Sequence, residues 1–454
     1  MERIDQLADR HDRLYKRHKG GVLGEKSKHS VTMVGDSDFL RTYSGQITWA
    51  TLLNVVARLY KGLTKIQFAL PKDIKRLPVV FFPNDLTNLY EASFQLLKDL
   101  TNGYVELEDA SGRSPLDIVV VVGGKPETDS HRLSLAGRGW SVFVDHDGWR
   151  SLPDDGNPIG PMAAACFGAA EVYKLIYSAK AICKEPFVFS AFDYSDEYKM
   201  APEMPQAVHL PRTYIPGAGA IGMGFLLALE QTRNIESSGG LIVVDDDRLD
   251  DTNLNRCVLA LLDDTGHKKT EIIEARLGNS ALNLKCYDDK WQTFIKAPEH
   301  ANDKDYELVV SCVDKYDARL ATQYAKVPKM LLTAGTGDFL LTVSRHVLND
   351  GLSCGLCYQA RDAQTCATAS DGAQQVFIDD IDPSIGFVSV LAATLLAGEY
   401  LKQTNPDWAL NVIRNTVRMY VLFRRLKKWA RAKDSQCNCS SKHVVRGYEI
   451  LWKP

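Results

Sequence analysis

Residues 213–256 read TYIPGAGAIGMGFLLALEQTRNIESSGGLIVVDDDRLDDTNLNR, and this stretch decides the fold of the chain. Its first residues predict a short strand that runs into a glycine-rich turn. The apolar run 221–229 predicts a helix, and the β-branched run 241–244 predicts a second strand that ends on Asp245. A strand, a glycine turn, a helix and an acid-capped strand in this order are typical of the nucleotide-binding half of a Rossmann-like sheet.

The three glycines of the turn have the spacing that phosphate binding requires. Gly217 allows a sharp turn, Gly219 lets the main chain approach a phosphate, and Gly222 lets the helix pack closely on the strand. The N–H groups at the start of the helix then face the phosphates. Asp245 is placed to accept hydrogen bonds from ribose hydroxyls. This pattern alone predicts a nucleotide site and leaves NAD, FAD and other nucleotides open.

The length and composition of the chain predict a globular protein of more than one domain. The 454 residues exceed the size at which a single hydrophobic core keeps growing. Hydrophobic residues make up 45% and charged residues 24%, which is ordinary for a globular protein. The net charge of −3 gives no reason to expect nucleic acid as a partner. The basic run 424–433 is predicted to be a solvated helix face.

Membrane insertion and secretion are not expected. No apolar stretch is predicted to reach the ~18–20 residues that span a bilayer, and residues 387–397 are predicted to form a buried helix. The first 21 residues are charged throughout and have no apolar signal core, so a cytoplasmic location is expected. Ten cysteines in such a chain indicate thiols, metal ligands or catalysis rather than disulfides.

The order of predicted elements in the second half repeats that of the first. A helix at 47–60 and a strand at 66–70 correspond to 221–229 and 241–245, and both halves have a buried strand and an Ala-rich helix later on. We therefore predict a degenerate α/β domain at 1–200 and an active one at 201–454, in a monomeric pseudo-dimer. Residues 19–38 are expected to be a loop. Two unrelated α/β domains remain the alternative.

The first copy lacks most of the residues that would bind a nucleotide in the second. Its glycine turn is predicted at Ser44-Gly45, and Leu70 followed by Pro71 stands where the second copy has Asp245. The first copy is therefore expected to keep the fold and to bind no nucleotide.

Further motifs of the second half follow Asp245 in a fixed order. They are GAGAIG (217–222), VVDDD (243–247), TNLNR (252–256), GHKK (266–269) and SCVDKYDAR (311–319). This series resembles the ATP-binding core of the ThiF/MoeB superfamily, over roughly residues 212–402. That superfamily includes the enzymes that activate ubiquitin and ubiquitin-like proteins.

The resemblance implies a role for each matching residue. Asp245 and Asp247 would belong to the nucleotide site, with Asp245 on the ribose. Asn253, Arg256 and Lys269 would hold the triphosphate where charge builds up during attack on the α-phosphorus. Asp314 would hold Mg²⁺, which prefers oxygen ligands. The family usually has Asn after this Asp, whereas this chain has Lys315, which leaves the fine geometry of the pocket open.

The cysteines include a predicted metal site. Cys354 and Cys357 form a CxxC motif, and Cys437 and Cys439 form a CxC motif about 80 residues later. In the resembling enzymes two CxxC pairs at such a separation hold a structural Zn²⁺ in a tetrahedron of thiolates, and the CxC pair of this chain is tighter than usual. The alternative is an incidental pair of motifs near the end of the chain.

Two more catalytic residues are implied by the resemblance. Cys366, in a segment of about 360–380, resembles the nucleophilic cysteine of the sulfur-carrier and molybdopterin-type activators. Arg13, in a charged N-terminal helix, resembles the arginine that reaches the ATP site from the non-catalytic partner. An exposed charged helix is the equally favoured interpretation of that segment.

The implied reaction is ATP-dependent adenylation of the C-terminal carboxylate of a ubiquitin-like protein that ends in Gly. Cys366 would then form a thioester and pass the protein to a conjugating enzyme. One alternative is adenylation of a sulfur-carrier protein for thiocarboxylate formation in cofactor biosynthesis. Another, of a different class, is a nucleotide- or NAD-binding module without ligase chemistry.

Overall fold

The computed structural model describes residues 29–59, 63–110, 118–125, 131–178, 185–197, 199–301, 306–357, 385–405, 407–408 and 413–452. Within these ranges each half of the chain forms one large mixed β-sheet with helices packed against it. The strands of the first sheet are β1 (His29–Gly35), β2 (Leu63–Ala69), β3 (Glu106–Asp109), β4 (Ile118–Val122), β5 (Arg132–Arg138), β6 (Ser141–Val144) and β7 (Phe187–Ser190).

The second sheet is larger. Its strands are β9 (Thr213–Pro216), β11 (Leu241–Val244), β12 (Leu284–Tyr287), β13 (Leu308–Ser311), β14 (Met330–Gly337), β15 (Leu340–His346), β16 (Thr416–Tyr420) and β17 (Arg425–Trp429). A separate parallel pair is formed by β8 (Val208–Leu210) and β10 (Ile235–Ser238).

Both sheets follow one topology. The first has the order β3-β2-β1-β4-β5-β6-β7, and the second has β12-β11-β9-β13-β14-β15-β16-β17. In each sheet the first five strands of that order are parallel and the rest are added antiparallel. The predicted fold class, two Rossmann-like α/β units of which the first is degenerate, is confirmed. The boundary at residue 200 stays a prediction.

The helices connect and cover these strands. They are α1 (Ser37–Leu40), α2 (Tyr43–Ala57), α3 (Leu89–Thr101), α4 (Ile159–Ser178), α5 (Ala220–Glu230), α6 (Lys269–Leu277), α7 (Trp291–Phe294), α8 (Pro298–Ala301), α9 (Tyr316–Tyr324), α10 (Gly386–Thr404) and α11 (Lys442–Trp452). Helix α10 of the second half packs on α4 and α2 of the first half and on α5 of its own half. The two halves therefore share one core.

Helix α10 is apolar on all its faces, and helices of both halves and strands of the second sheet pack around it. Every residue from Gly386 to Lys402 is buried, as expected of a helix without a polar face. Its two buried charges, Glu399 and Lys402, pair with each other. Glu399 also accepts from the hydroxyl of Tyr194 at 2.7 Å, and Lys402 donates to the carbonyl of Phe192 at 2.7 Å. These two buried charges of the shared core are thus satisfied by each other and by partners from the first half.

The predicted loop at 19–38 is wrong over its last part. Residues 29–35 form β1, the central strand of the first sheet, with Val31 and Met33 fully buried. The alternation HSVTMVG is a strand pattern, but the Gly-, Ser- and Lys-rich residues before it obscured it. The predicted turn at Ser44-Gly45 is also wrong, because both residues lie in the first turn of α2.

Two further expectations need correction. The basic run after residue 424 forms the edge strand β17, whose outward side chains are charged, and not a helix face. The stretch Ile159–Ile176 of α4 has the length and composition that could cross a membrane, contrary to the sequence prediction, and 94% of it is buried in the protein. The predicted buried helix at 387–397 is confirmed within α10.

Candidate nucleotide site and cysteine cluster

The predicted nucleotide residues gather at one edge of the second sheet. The parallel strands β9, β11 and β13 all end there, followed by the glycine turn, Asp245 and Asp314 in turn. The carboxyl edge of a parallel sheet, where the strand order reverses around a central strand, is where such folds bind ligands. The sheet topology therefore brings together segments that lie about 100 residues apart in the sequence.

The glycine turn requires glycine at two positions, Gly217 and Gly222, because a side chain there would collide with the main chain. Gly217 has a φ of +99°, and a β-carbon there would lie 2.7 Å from the carbonyl carbon of Cys312. A β-carbon on Gly222 would lie 2.2 Å from the carbonyl oxygen of Gly217. At Gly219, the residue before α5, no atom of the described residues lies within 4 Å of that position. Gly219 therefore leaves room for a phosphate at the start of the helix.

Asp245 is tied to this turn. Its carboxylate accepts the N–H of Ala218 at 2.6 Å and the N–H of Asp247 at 2.9 Å. Burial raises the pKa of Asp245, and the ammonium group of Lys269 opposes that rise. The acid predicted for the ribose thus lies beside the turn predicted for the phosphates.

Lys269 is a buried cation at the start of α6. Only 8% of the residue is exposed, and its Nζ lies 2.8 Å from Oδ2 of Asp247. Burial favours the neutral amine, but Asp245 and Asp247 outweigh burial and raise the pKa of Lys269. The neighbouring Lys268 instead pairs with Asp288 at 2.8 Å. The ammonium form of Lys269 is therefore favoured at this site.

Asn253 and Arg256 lie on the loop after β11. The side-chain oxygen of Asn253 accepts the N–H of Asp250 at 3.3 Å. The guanidinium group of Arg256 donates to the carbonyl of Thr252 at 2.7 Å and to the side-chain oxygen of Asn255 at 3.0 Å. These local bonds hold both side chains against the loop that carries them.

Cys257, for which the sequence suggested no role, lies under this site. It is 2% exposed. Burial raises the pKa of its thiol, while the nearby charges of Arg256 and Lys269 oppose the rise and that of Asp245 adds to it. The loop, α6 and the end of β11 therefore meet around Cys257.

Asp314 and its neighbours follow β13, which lies on the other side of the central strand β9 from β11. Asp314 follows β13 and is exposed. Burial lowers the pKa of Arg319, and the charge of Asp314 opposes this shift. Lys315, the residue that departs from the family pattern, contributes with Lys269 to a lowered pKa of Asp247, against the effect of burial. The extra cation therefore faces the same acid that Lys269 binds.

The matching edge of the first sheet is filled by side chains. Phe39 and Leu40, on α1 directly after β1, are fully buried. A β-carbon on Gly123, just after β4, would lie 2.3 Å from the side chain of Phe39. The ring of Trp149 packs on Phe39 with centroids 4.6 Å apart. In this half the space after the end of β1 is occupied by side chains of the hydrophobic core.

The four predicted zinc cysteines converge. Among the described residues, the sulfur atoms of Cys354, Cys357, Cys437 and Cys439 all lie within 4.8 Å of one another. Three of the Sγ–Sγ distances are 3.6 Å (354–437), 3.4 Å (357–439) and 3.8 Å (354–357). A tetrahedral Zn²⁺ with Zn–S bonds of about 2.3 Å requires about 3.8 Å between sulfurs. The geometry of the cluster therefore fits zinc, and the two motifs meet in space.

The surroundings of the cluster suit a metal site. The hydrogen bonds with Cys354 and Cys439 lower the pKa of the Cys357 thiol, and the bond with Cys357 in turn raises the pKa of Cys354. The cluster therefore favours a thiolate, the form that zinc binds, at Cys357. The hydroxyl of Tyr324, on α9, lies 3.6 Å and 3.7 Å from the sulfurs of Cys354 and Cys437. Sequence analysis missed Tyr324, since only the fold brings it to the cysteines.

A groove of about 320 Å³ runs over the antiparallel strands of the second sheet. Arg319 lines one part of it and Cys354 another, so it extends from the neighbourhood of Asp314 to the cysteine cluster. Its walls are otherwise mostly small or hydroxylated residues of β14, β15 and β16, with Arg418 and Arg431 among them. None of the described residues that line it is acidic. Arginine side chains therefore give the described lining of the groove a positive charge.

Arg13 and Cys366, and with Cys366 the segment of about 360–380, lie outside the described residues. The other predicted site residues are all described, and they fall into the two groups above. The nucleotide group contains the glycines, the acids and the cations, and the cysteine group contains the four cysteines predicted to bind zinc.

Comparison with known families identifies this arrangement. The family model of the ThiF family matches residues 198–440, more than half of the chain. The chain belongs to the ThiF family. ATP-dependent adenylation is the chemistry of that family, and the glycine turn and acid-capped strand lie inside the matched range. A second model, described as the BilD N-terminal domain, matches residues 30–188, the part that forms the first sheet.

Individual relatives are distant. An uncharacterized protein, y4jF, of Sinorhizobium fredii is 27% identical over 345 residues, which cover 75% of this ThiF-family chain and 62% of that protein. The chain thus spans less than two thirds of its curated relative. Crystal structures of E. coli MccB, one with MccA and one with succinimide, have TM-scores of 0.38 and 0.36 at 18% and 16% identity. They cover 51% and 50% of this chain and 66% of each MccB chain.

Proposed function

We propose that this chain activates the C-terminal carboxylate of a ubiquitin-like protein with ATP and then carries the acyl group on Cys366 as a thioester for a conjugating enzyme. The observation that carries the proposal is the placement of Asp245 on the glycine turn, through the N–H of Ala218 at 2.6 Å, close to the buried cation Lys269, whose Nζ lies 2.8 Å from Asp247. The active domain is residues 201–454 in this proposal, and the degenerate domain at 1–200 binds no nucleotide.

Each group of the site has a task in ATP binding. The N–H groups at the start of α5 and the open position at Gly219 receive phosphate, and Asp245 accepts hydrogen bonds from the ribose. Lys269 exchanges its bond to Asp247 for a phosphate oxygen, while Asn253 and Arg256 turn from their loop to the triphosphate. Mg²⁺ held by Asp314 would neutralise phosphate charge.

The chemistry follows from this placement. A carboxylate oxygen of the substrate attacks the α-phosphorus, the bond from that phosphorus to the bridging oxygen of the β-phosphate breaks, and pyrophosphate leaves. Lys269 and Arg256 stabilise the negative charge that builds up on the phosphate oxygens. The thiolate of Cys366 then attacks the acyl carbon, the bond to the adenylate oxygen breaks, and AMP leaves with that oxygen. This second step rests on the sequence alone.

The groove supports a peptide substrate. An extended tail along β14–β16 would bring its C-terminus past Arg319 toward Asp314. The three arginines of the groove, together with the lack of acidic residues among its described lining, favour a tail with acidic side chains. Zinc at the four cysteines would fix the other end of the groove, because Cys354 belongs to both.

Mass spectrometry of the protein after incubation with ATP, Mg²⁺ and a ubiquitin-fold protein ending in Gly tests the proposal. The neighbouring genes of this protein supply the candidates. We expect AMP, pyrophosphate and a thioester adduct that is absent in Cys366→Ala and cleaved by a thiol reductant. Persulfide chemistry in place of the thioester, or an adduct that persists in Cys366→Ala, would exclude the second step.

A further inference from the structure

Arg58 is a buried cation of the first half that binds the main chain of the second. It follows the last residue of α2 and is only 2% exposed. Its guanidinium group donates to the carbonyl oxygens of Leu254, of Val258 at 3.1 Å and of Ala260 at 2.8 Å. The side chain of Asn54, one turn earlier, orients it by accepting from Nε at 2.8 Å. Three carbonyls within seven residues are thus held by one side chain.

These carbonyls belong to the loop that carries the nucleotide residues. Leu254 lies between Asn253 and Asn255, and Arg256 follows directly. On its other side the loop touches the start of α10, where a β-carbon on Gly386 would lie 2.4 Å from the carbonyl oxygen of Asn255. The loop is therefore fixed between the end of α2 and the start of α10.

The guanidinium group suits this task. Its N–H groups are fixed in one plane, so it can hold several carbonyls in a defined relative geometry. Asn54 adds a bond of its own, from Nδ2 to the carbonyl of Val258 at 3.2 Å. Because Arg58 and the residues whose carbonyls it binds are buried, loss of the guanidinium group removes several buried hydrogen bonds at once, a cost that the loop relieves by moving.

We propose that Arg58 is a positioning residue for the ATP site of the other half. It holds the main chain from which Asn253 and Arg256 project, so the first half contributes to nucleotide binding although its own sheet edge is filled by Phe39. The inference rests on the proposed function in one respect, namely that Asn253 and Arg256 bind the triphosphate.

Calorimetric titration of the full chain with ATP·Mg²⁺ tests this inference, with the variants Arg58→Met, Arg58→Lys and Asn54→Ala. Tyr43→Phe is the matched control, because it removes another buried bond between the halves, from the Tyr43 hydroxyl to the carbonyl of Gln231 at 2.7 Å. Circular dichroism and melting temperature report folding, and hydrogen exchange of a peptide covering 249–262 reports the order of the loop.

We expect Arg58→Met to weaken ATP binding by about tenfold and Tyr43→Phe by less than about twofold. Arg58→Lys should restore part of the affinity, and Asn54→Ala should lose about threefold. Faster exchange of the loop in Arg58→Met should accompany the loss. A folded Arg58→Met or Asn54→Ala protein with the affinity of the unmodified chain would overturn the inference. If the unmodified chain itself binds no ATP, the proposed function fails instead.

Discussion

The ammonium nitrogen of Lys269 lies 2.8 Å from Oδ2 of Asp247, and the two residues differ sharply in exposure. The side chain of Lys269 is 10% exposed and that of Asp247 is 57% exposed. A buried lysine whose partner is an exposed acid can change partners without a large desolvation cost, because it is already out of water. Lys269 can therefore donate to a phosphate oxygen in place of Asp247.

Removal of the Lys269 charge should weaken ATP binding. Lys269→Met is expected to lower the affinity for ATP·Mg²⁺ roughly 10- to 100-fold, the range for a lost charge-assisted hydrogen bond. Lys268→Met is the control, since Lys268 is the adjacent lysine and pairs with Asp288. Calorimetric titration measures both. Equal losses in the two variants would show a general effect of charge and refute the assignment of Lys269.

The affinity for ATP should depend on the ionisation of Asp245. Because burial raises the pKa of Asp245, this acid takes up a proton at a higher pH than an exposed aspartate does. The bonds to the ribose are expected above that pKa and are lost as the pH falls through it. The affinity advantage over Asp245→Asn should therefore shrink as the pH falls, and at a higher pH than for an exposed aspartate. Comparison with this variant cancels the ionisation of ATP itself, and a constant ratio would contradict the assignment.

The cysteine cluster should bind one zinc ion and hold the C-terminal helix. Helix α11 packs on the cluster, and its Trp452 donates to the carbonyl of Val327 at 2.7 Å. Cys439→Ser is expected to lower the zinc content from about one per chain to near zero and to make α11 sensitive to protease. Cys286→Ser, outside the cluster, is the control. Metal analysis and limited proteolysis are the measurements, and full zinc content in Cys439→Ser would refute the site.

The charge of the groove should select the substrate tail. Arg418→Glu is expected to raise KM for a ubiquitin-fold protein with an acidic tail about tenfold, with KM for ATP unchanged. Arg425→Glu is the matched control, because Arg425 lies opposite Tyr420 on the edge strand and does not line the groove. Initial rates of pyrophosphate formation provide both constants. If only the KM for ATP rises, the assignment of Arg418 to substrate binding is wrong and the residue belongs to the nucleotide site.

Local patterns predicted the elements that make the site. The strands at 241–244 and 308–311 are apolar runs bounded by turn residues, and the glycine turn has a spacing with a single structural meaning. The four cysteines were also predictable, because two short motifs set the ligands in pairs. Their meeting in space required the fold.

What sequence analysis missed depends on distant contacts. The sequence analysis assigns no role to Arg58, yet its guanidinium group binds Leu254, 196 residues away. Tyr324 is an ordinary helix residue until the cysteines fold against it. In the first half, Phe39 occupies the space beside the turn, and nothing in the sequence around it indicates that it replaces a ligand.

The exchange of labelled pyrophosphate into ATP tests the central claim most directly, since it reports formation of the acyl adenylate before Cys366 acts. We predict exchange that requires Mg²⁺ and a ubiquitin-fold protein ending in Gly, that continues in Cys366→Ala and that is lost in Asp314→Ala. Exchange that proceeds without the protein substrate, or that survives in Asp314→Ala, would contradict the account.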